Sequence, residues 1–339
     1  MEKRHRNSVT GCLAFTAALL AVVMLCCSVG RYHVSFPDIL HALANYLFGA
    51  GFEVGPKEYS SVVMLRLPRV LMAVIVGASL SVSGTVYQSI FNNKLISPDL
   101  LGVSMGCCVG AAFAILLGAS GAAIIAGSFG TGILAVLLAL LLPVLMRNTS
   151  NLSLVLSGII VSAVFNSILG FIKYAVDSLE KLESITFWIM GSLSAVTMRQ
   201  LKIVFPLFVA ALTMLLLLRF QINIISLGES EATLLGIRYR LTRITVIICA
   251  TVLTACATAI CGTVSWVGLI IPHISRLLTG ADNRELIPFS AMLGALVLPI
   301  IDTLCRTLTV NEIPISIISG AFGAMVFFMI LVKKGRYIE

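Results

Sequence analysis

Charge is what this chain lacks. Asp, Glu, Lys and Arg make up only 11% of its 339 residues, whereas 59% are apolar, and the mean hydropathy is +1.06. Soluble domains carry about 25% charged residues, so a water-soluble globular protein is excluded. The phosphate-cradling pattern G-x-x-x-x-G-K-[ST] is absent, so nucleotide binding by a P-loop is not expected in this chain. H-E-x-x-H is absent too. The nine cysteines form no C-x-x-C pair and mostly lie within apolar runs, where they read as small packing residues rather than metal ligands or a disulfide framework. No catalytic residue, no metal site and no resident cofactor is therefore expected. The apolar runs are continuous rather than alternating, which rules out a closed barrel.

What remains is an all-α, polytopic membrane protein. An apolar helix needs about 20 residues to cross the hydrocarbon. Runs of that order occupy 12–29, 70–91 and 100–117, another closes at Arg147, and further runs follow at 152–175, 203–218 and 244–261. A short element ends near Arg276, and 286–304 and 315–332 complete about ten transmembrane helices in one domain spanning 1–339. The basic start with the run at 12–29 could pass for a signal peptide, but Leu25 ahead of Cys26 is a poor cleavage position. We read it as the first span. The segment 31–61 and the loop around Asp177, Glu180, Lys181 and Glu183 read as wetter connections, with Trp188 suited to an interface. The net charge of +8 does not signal nucleic acid, because Lys and Arg are scattered among the breaks. Their clusters at both termini and at Arg238, Arg240 and Arg243 place both termini in the cytoplasm by the positive-inside rule.

An internal echo runs along the chain. Leu67-x-Arg69 followed by Leu95-Ile96-x-Pro98 recurs as Leu241-x-Arg243 followed by Leu269-Ile270-x-Pro272. Five crossings separate the copies, which predicts an inverted internal repeat with halves at 61–176 and 241–333 and a pathway at their interface. A proline interrupts helical hydrogen bonding, so Pro98 and Pro272 suggest paired broken helices, with ordinary kinks as the plainer reading.

The longest polar break of the second half is 219–243. Ser226 and Glu229 stand at capping-box spacing, and Gly236 supplies a helix stop. The helix between them has two or three turns, with Leu227, Leu234 and Leu235 free to lie against an apolar surface. Helices this short are marginal alone. The expectation is a handle on the membrane surface that a soluble partner pushes.

Seven stretches in order then carry a resemblance: R-L-P-R at 66–69, S-P-D-L-L-G-V-S at 97–104, L-S-G-I at 156–159, W-I-M-G-S-L at 188–193, L-G-E-S-E-A-T-L-L-G at 227–236, W-V-G-L-I-I-P-H-I-S-R at 266–276 and E-I-P at 312–314. The chain resembles the FecCD family, the permease subunits of bacterial ABC importers for iron–siderophore complexes, haem and cobalamin. The resemblance implies a BtuC-like subunit of about ten helices in the bacterial plasma membrane. It would pair with a second permease, identical or homologous. Two cytoplasmic ABC ATPases, which supply ATP and Mg, and an extracytoplasmic substrate-binding protein would complete the complex, with no nucleic acid. Within that scheme Ser226, Gly228, Glu229, Ala232, Leu235 and Gly236 resemble the ATPase-coupling element of a cytoplasmic loop at 219–243. Arg66, Arg69 and Arg306 match positions that receive glutamates of the binding protein, and charge pairing of that kind speeds encounter. Asn93, Leu95, Thr149 and Ser150 match the cytoplasmic gate. Lys94 stands where the family has proline, Asn283 where histidine is common, and Ser316 and Met325 where glycine and proline are usual.

Other readings compete. Arg66 and Arg69 could anchor a helix end at headgroups. Asp302 and Arg306 are four apart, the spacing of a local helix ion pair, and His273 reads as structural. Thr149 and Ser150 could form a simple polar turn. An ion-coupled secondary transporter is the rival to an ATP-driven importer, since inverted repeats describe it as well. It would need an acid inside a span, and Asp302 is the one acid placed well within one.

Overall fold

The computed structural model describes residues 2–30, 32–148 and 150–335. Among them there are helices and loops and no strand, as the bilayer demands of a chain that must satisfy its backbone internally. The order is α1 (Glu2–Ser28), α2 (Phe36–Phe48), α3 (Pro56–Tyr59), a π-helical stretch (Ser60–Arg66), α4 (Leu67–Ile90), a 3-10 turn (Pro98–Leu101), α5 (Val103–Leu116), α6 (Gly121–Leu145) and α7 (Asn151–Ala175). Then come α8 (Leu179–Met190), α9 (Met198–Ile225), α10 (Glu229–Leu234), α11 (Tyr239–Cys261), α12 (Val267–Thr279), α13 (Asn283–Thr307) and α14 (Ile315–Gly335). Six helices are long and apolar enough to cross a membrane, and four shorter apolar ones, Leu13–Ser28, Val103–Leu116, Val267–Thr279 and Ile315–Ile330, accompany them.

Helix α4 is the axis of the molecule. Almost every side chain along it is buried, because α13, α11, α12 and α9 all pack on it. Without a hydrophobic drive between helices in lipid, small residues set how closely they approach. A Cβ on Gly77 would sit 2.1 Å from the Gly294 carbonyl oxygen of α13, and one on Gly84 would sit 1.8 Å from that of Gly268 in α12. Neither position admits alanine without moving a helix.

Along α11, the hydroxyl of Ser83 meets Thr254 at 2.7 Å and the phenol of Tyr87 meets Thr251 at 3.0 Å. The partner numbers fall as those on α4 rise, so α4 and α11 run antiparallel. Arg69 and Arg243, each near the start of its helix, thus belong to opposite faces.

Pro68 lies in the first turn of α4 and has no N–H to give. The ladder just before it shifts to π spacing, with Leu67 N–H donating to the Val62 carbonyl. Such bulges turn side chains out of register. Here both Arg66 and Arg69 end up facing the interior.

Several expectations are corrected. The segment 31–61 is largely helical, through α2 and the extension that begins at Pro56, and the wet loop after α7 folds as α8. The two echoed prolines occupy different kinds of element: Pro98 opens the 3-10 turn, whereas Pro272 lies inside α12. Helices α5 and α12 have 14 and 13 residues, which at 1.5 Å per residue reach only ~20 Å of a hydrocarbon core about 30 Å thick. Irregular backbone at 91–97, the 3-10 turn and the segment 262–266 join these short helices to their neighbours; Ile96, Pro98, Leu101 and Gly262 within them pack against protein, as backbone at membrane depth requires, whereas 92–95 are exposed. Thus Gly262 (φ +72) nests against the Trp188 carbonyl, and Thr263 donates its hydroxyl to the Ile189 carbonyl at 2.6 Å.

Candidate functional site

Polar side chains gather at the two ends of α4. At its start lies an arginine cluster. Arg69 forks Nε and Nη2 onto the Asp302 carboxylate at 2.9 Å, and its Nη1 reaches Glu312 Oε1, also at 2.9 Å. Arg66 donates to the carbonyls of Cys27 at 2.7 Å and Ser28 at 3.0 Å and to that of Tyr32. Arg306 donates to the Cys26 carbonyl and to Thr303 Oγ1 at 3.3 Å. Two arginines thereby cap the end of α1, where a helix leaves its last carbonyls unmatched and carries partial negative charge. The four-apart ion pair is overturned: Asp302 pairs with Arg69 across helices, because the bidentate fork of a guanidinium suits a carboxylate better than an oblique approach along one helix.

The structure therefore brings Arg66, Arg69 and Arg306 together but buries them, at 5%, 8% and 7% exposure. A cavity of about 240 Å³ opens beside them and is also lined by Tyr32 and Glu312. A second cavity, of about 660 Å³, shares Glu312 and continues past Gln200, Trp188 and Cys261. Glu312, with a side chain 36% exposed, and Ser194 are common to both, and Glu312 is the charged one. Sequence reasoning quoted it only within a motif and assigned it no part in the site.

The opposite face carries the elbow between α9 and α11. Helix α10 is shorter than expected, six residues from Glu229 to Leu234. The capping box does not form. Ser226 ends α9, with its hydroxyl donating to the Asn223 carbonyl at 2.7 Å, and Gly228 (φ +119) occupies the N-cap of α10 instead. A glycine is needed there because that backbone region is closed to other residues. The stop is as expected: Gly236 (φ +79) closes a Schellman motif, its N–H bonding to Thr233 and that of Ile237 to Ala232.

The residue of α10 that packs inward is an alanine. Ala232 is buried, whereas Leu227, Leu234 and Leu235 are 61%, 88% and 60% exposed. Three leucines held outward beside Glu229 and Glu231, on a segment outside the spans, form an apolar patch of the kind that marks an interaction surface.

The positions expected to form the gate follow α4 and precede α7. The side-chain oxygen of Asn93 accepts from the Leu95 N–H at 3.0 Å, a turn that holds Leu95 outward at 64% exposure. Ser150 caps α7, accepting from the Ser153 N–H. Thr149 lies outside the described residues. Asp282, in the turn before α13, accepts from the backbone N–H of Arg284 and from the Asn223 amide. Those two bonds hold its carboxyl below the ordinary carboxylate range, the backbone donor contributing most.

With this geometry described, the comparisons decide the family. The sequence profile of the FecCD transport family matches residues 18–333. The chain belongs to the FecCD transport family. It is the permease subunit of an ABC importer. It is 37% identical to the molybdate import system permease MolB of Haemophilus influenzae, over 95% of each chain. It is 36% identical to a Helicobacter pylori permease named for iron chelatin transport, covering 89% of this chain and 98% of the other. Among solved structures it superposes on an ABC transporter described as of metal-chelate type, in an inward-facing conformation, with a TM-score of 0.85, 34% identity and coverage of 95% and 98%.

The permease family sets aside the ion-coupled secondary transporter. Its required intramembrane acid, Asp302, is moreover held in a bidentate pair with Arg69. Permeases of this family are non-catalytic, and hydrolysis belongs to a separate ATPase subunit.

Proposed function

We propose that this permease carries an iron chelate, a ferric siderophore first of all, into the cytoplasm, and that α10 is the element through which ATPase subunits move it. The observation that carries the second half is the exposed leucine patch on a short helix beyond the spans. A six-residue helix cannot be stable alone, and its outward leucines are left exposed by the described residues. On this reading the elbow face is cytoplasmic, as are both termini, and the arginine face meets the substrate-binding protein. The halves 61–176 and 241–333 are taken as an inverted repeat, supported by the antiparallel pairing of α4 with α11.

Arg66, Arg69 and Arg306 then form the floor of the receptor dock. Glu312 is the group an incoming carboxylate would displace from Arg69, since it alone of the partners of Arg69 is substantially exposed. Haem and cobalamin fit the same machinery. A molybdate cargo is the second reading, favoured by the Haemophilus relative.

The test is reconstitution with the cognate ATPase and binding protein in proteoliposomes. Uptake of a radioiron-labelled ferric siderophore is followed with molybdate, haem and cobalamin as competitors. Replacing Glu229 and Leu235 by Ala is expected to lower uptake by more than ~tenfold, since interface hot spots cost about 2 kcal/mol or more on truncation, with the permease dimer still assembled. Uptake at the native rate would overturn the coupling reading. Molybdate uptake in place of iron would replace the cargo reading.

A further inference from the structure

The elbow is rooted at both ends in side-chain hydrogen bonds that lead to one place. On the α9 side, Asn223 lies one turn before the elbow. Its side-chain oxygen accepts from the backbone N–H and the amide of Asn283 at 2.9 and 2.8 Å. The Asn283 oxygen in turn accepts from the Ser89 hydroxyl at 2.8 Å. On the α11 side, Arg243 donates to the Asn151 oxygen at 2.5 Å, and the Asn151 amide reaches the Ile90 carbonyl at 3.5 Å. Both branches end on the last turn of α4. From that turn hangs the gate loop, fastened by Gln88, whose amide holds the Ile96 carbonyl at 3.3 Å and whose backbone carbonyl accepts from the Asn93 N–H at 3.1 Å. Asn151 is also the first residue of α7, directly after the second gate loop.

Burial gives these bonds their importance. Asn283, Gln88 and Arg243 are 2%, 2% and 6% exposed. Polar groups so placed cannot exchange partners with water, and although Asn223, Ser89 and Asn151 are only half-buried, breaking a bond leaves its buried member unsatisfied. A displacement of the elbow must therefore either carry the end of α4 with it or leave buried polar groups without partners.

We propose that Asn223–Asn283–Ser89 and Arg243–Asn151–Ile90 are twin tethers that transmit movement of α10 to the gate loops, making Asn223, Asn283, Ser89, Arg243 and Asn151 positioning residues for transport. The proposal rests on the coupling reading of α10. It differs from simple anchoring in one respect: cutting the tethers should separate two movements that otherwise occur together.

The experiment is amide hydrogen exchange on the whole importer, permease with ATPase and binding protein, with and without MgATP and vanadate, read at 226–236 and at 91–97. In the native complex both segments are expected to change with nucleotide. In Asn223→Leu combined with Asn151→Leu, the change at 226–236 is expected to persist while that at 91–97 falls roughly fivefold or more, the low end of ordinary coupling between sites. Ser89→Thr, which keeps the donor, should retain the response, and Ser89→Val, of the same shape, should weaken it. Because the readout compares two segments of one protein, a variant that merely misfolds is recognised by loss of nucleotide response at both. In that event Ser89→Val against Ser89→Thr decides the matter. An undiminished response at 91–97 in the variants would overturn the tethers alone. A native complex in which nucleotide leaves 226–236 unchanged would overturn the coupling reading and the tethers with it.

Discussion

The two ends of α4 are held by different chemistry. At its start three buried arginines and two carboxylates close the structure with full charges. At its far end the last turn is gripped by asparagine, serine and glutamine side chains and by two arginines, Arg243 and Arg276, each bonded to a side-chain amide rather than to a carboxylate. A buried charge is costly to leave unpaired, so a charged cluster resists opening strongly and reopens only when another charge replaces the lost one. Neutral hydrogen bonds are worth about 0.5–1.5 kcal/mol each and can shift as a set. The first end is suited to a contact made or broken by a charged partner, the second to one that moves repeatedly.

The largest expected effect would break that contrast at the arginine face. Asp302→Ala leaves Arg69 buried with only Glu312, and should cost about 3–5 kcal/mol of stability, read as a loss of monodisperse protein after heating in detergent. The pair Arg69→Met with Asp302→Leu should recover much of it, because neither charge then remains. A double variant no better than the single would show that the charges themselves are not what seals this end.

A smaller effect sharpens the comparison within the cluster. Glu312→Gln removes the partially exposed partner of Arg69, and exposed pairs contribute about 1 kcal/mol or less, so the melting temperature should barely move. Capture of the binding protein should instead strengthen at low salt if Glu312 competes for Arg69, measured by surface-immobilised binding. Unchanged capture would remove Glu312 from the dock.

The smallest effect concerns the elbow face. The carboxyl of Asp282 is held below its ordinary range by the Arg284 N–H and the Asn223 amide, so the stabilisation is present above the unfolded value and fades as pH falls through the folded one. Amide exchange at Asn283 and Arg284, corrected for intrinsic rate, should rise only below the ordinary carboxylate range. A rise near neutrality would mean that another group holds this turn.

Much of the architecture was legible before any coordinates. Runs of apolar residues with charge confined to their ends can form only membrane helices, and the glycine at 236 could only end one. The elbow was found for the same reason, as a polar interruption too long for a turn. Its cap was misread because Ser226 and Glu229 have the right spacing on paper, while α9 runs on to Ile225 and takes Ser226 for itself. Local pattern cannot say which of two adjoining helices will claim a residue.

The partner of Asp302 was hidden in a similar way. Sequence spacing offered Arg306, and the actual partner, Arg69, is 233 residues distant. Nothing in the order of residues along a chain encodes that separation. It follows from α13 lying against α4 with glycine facing glycine, and from Pro68 shifting the turn that aims the guanidinium inward.

Composition by itself thus determined that the chain crosses a bilayer many times, because hydration of apolar surface and of charge allows nothing else. The tertiary structure alone decided which polar groups meet, since the energy of a buried ion pair or hydrogen bond depends on distance through space and on exclusion of water, and neither is a property of sequence.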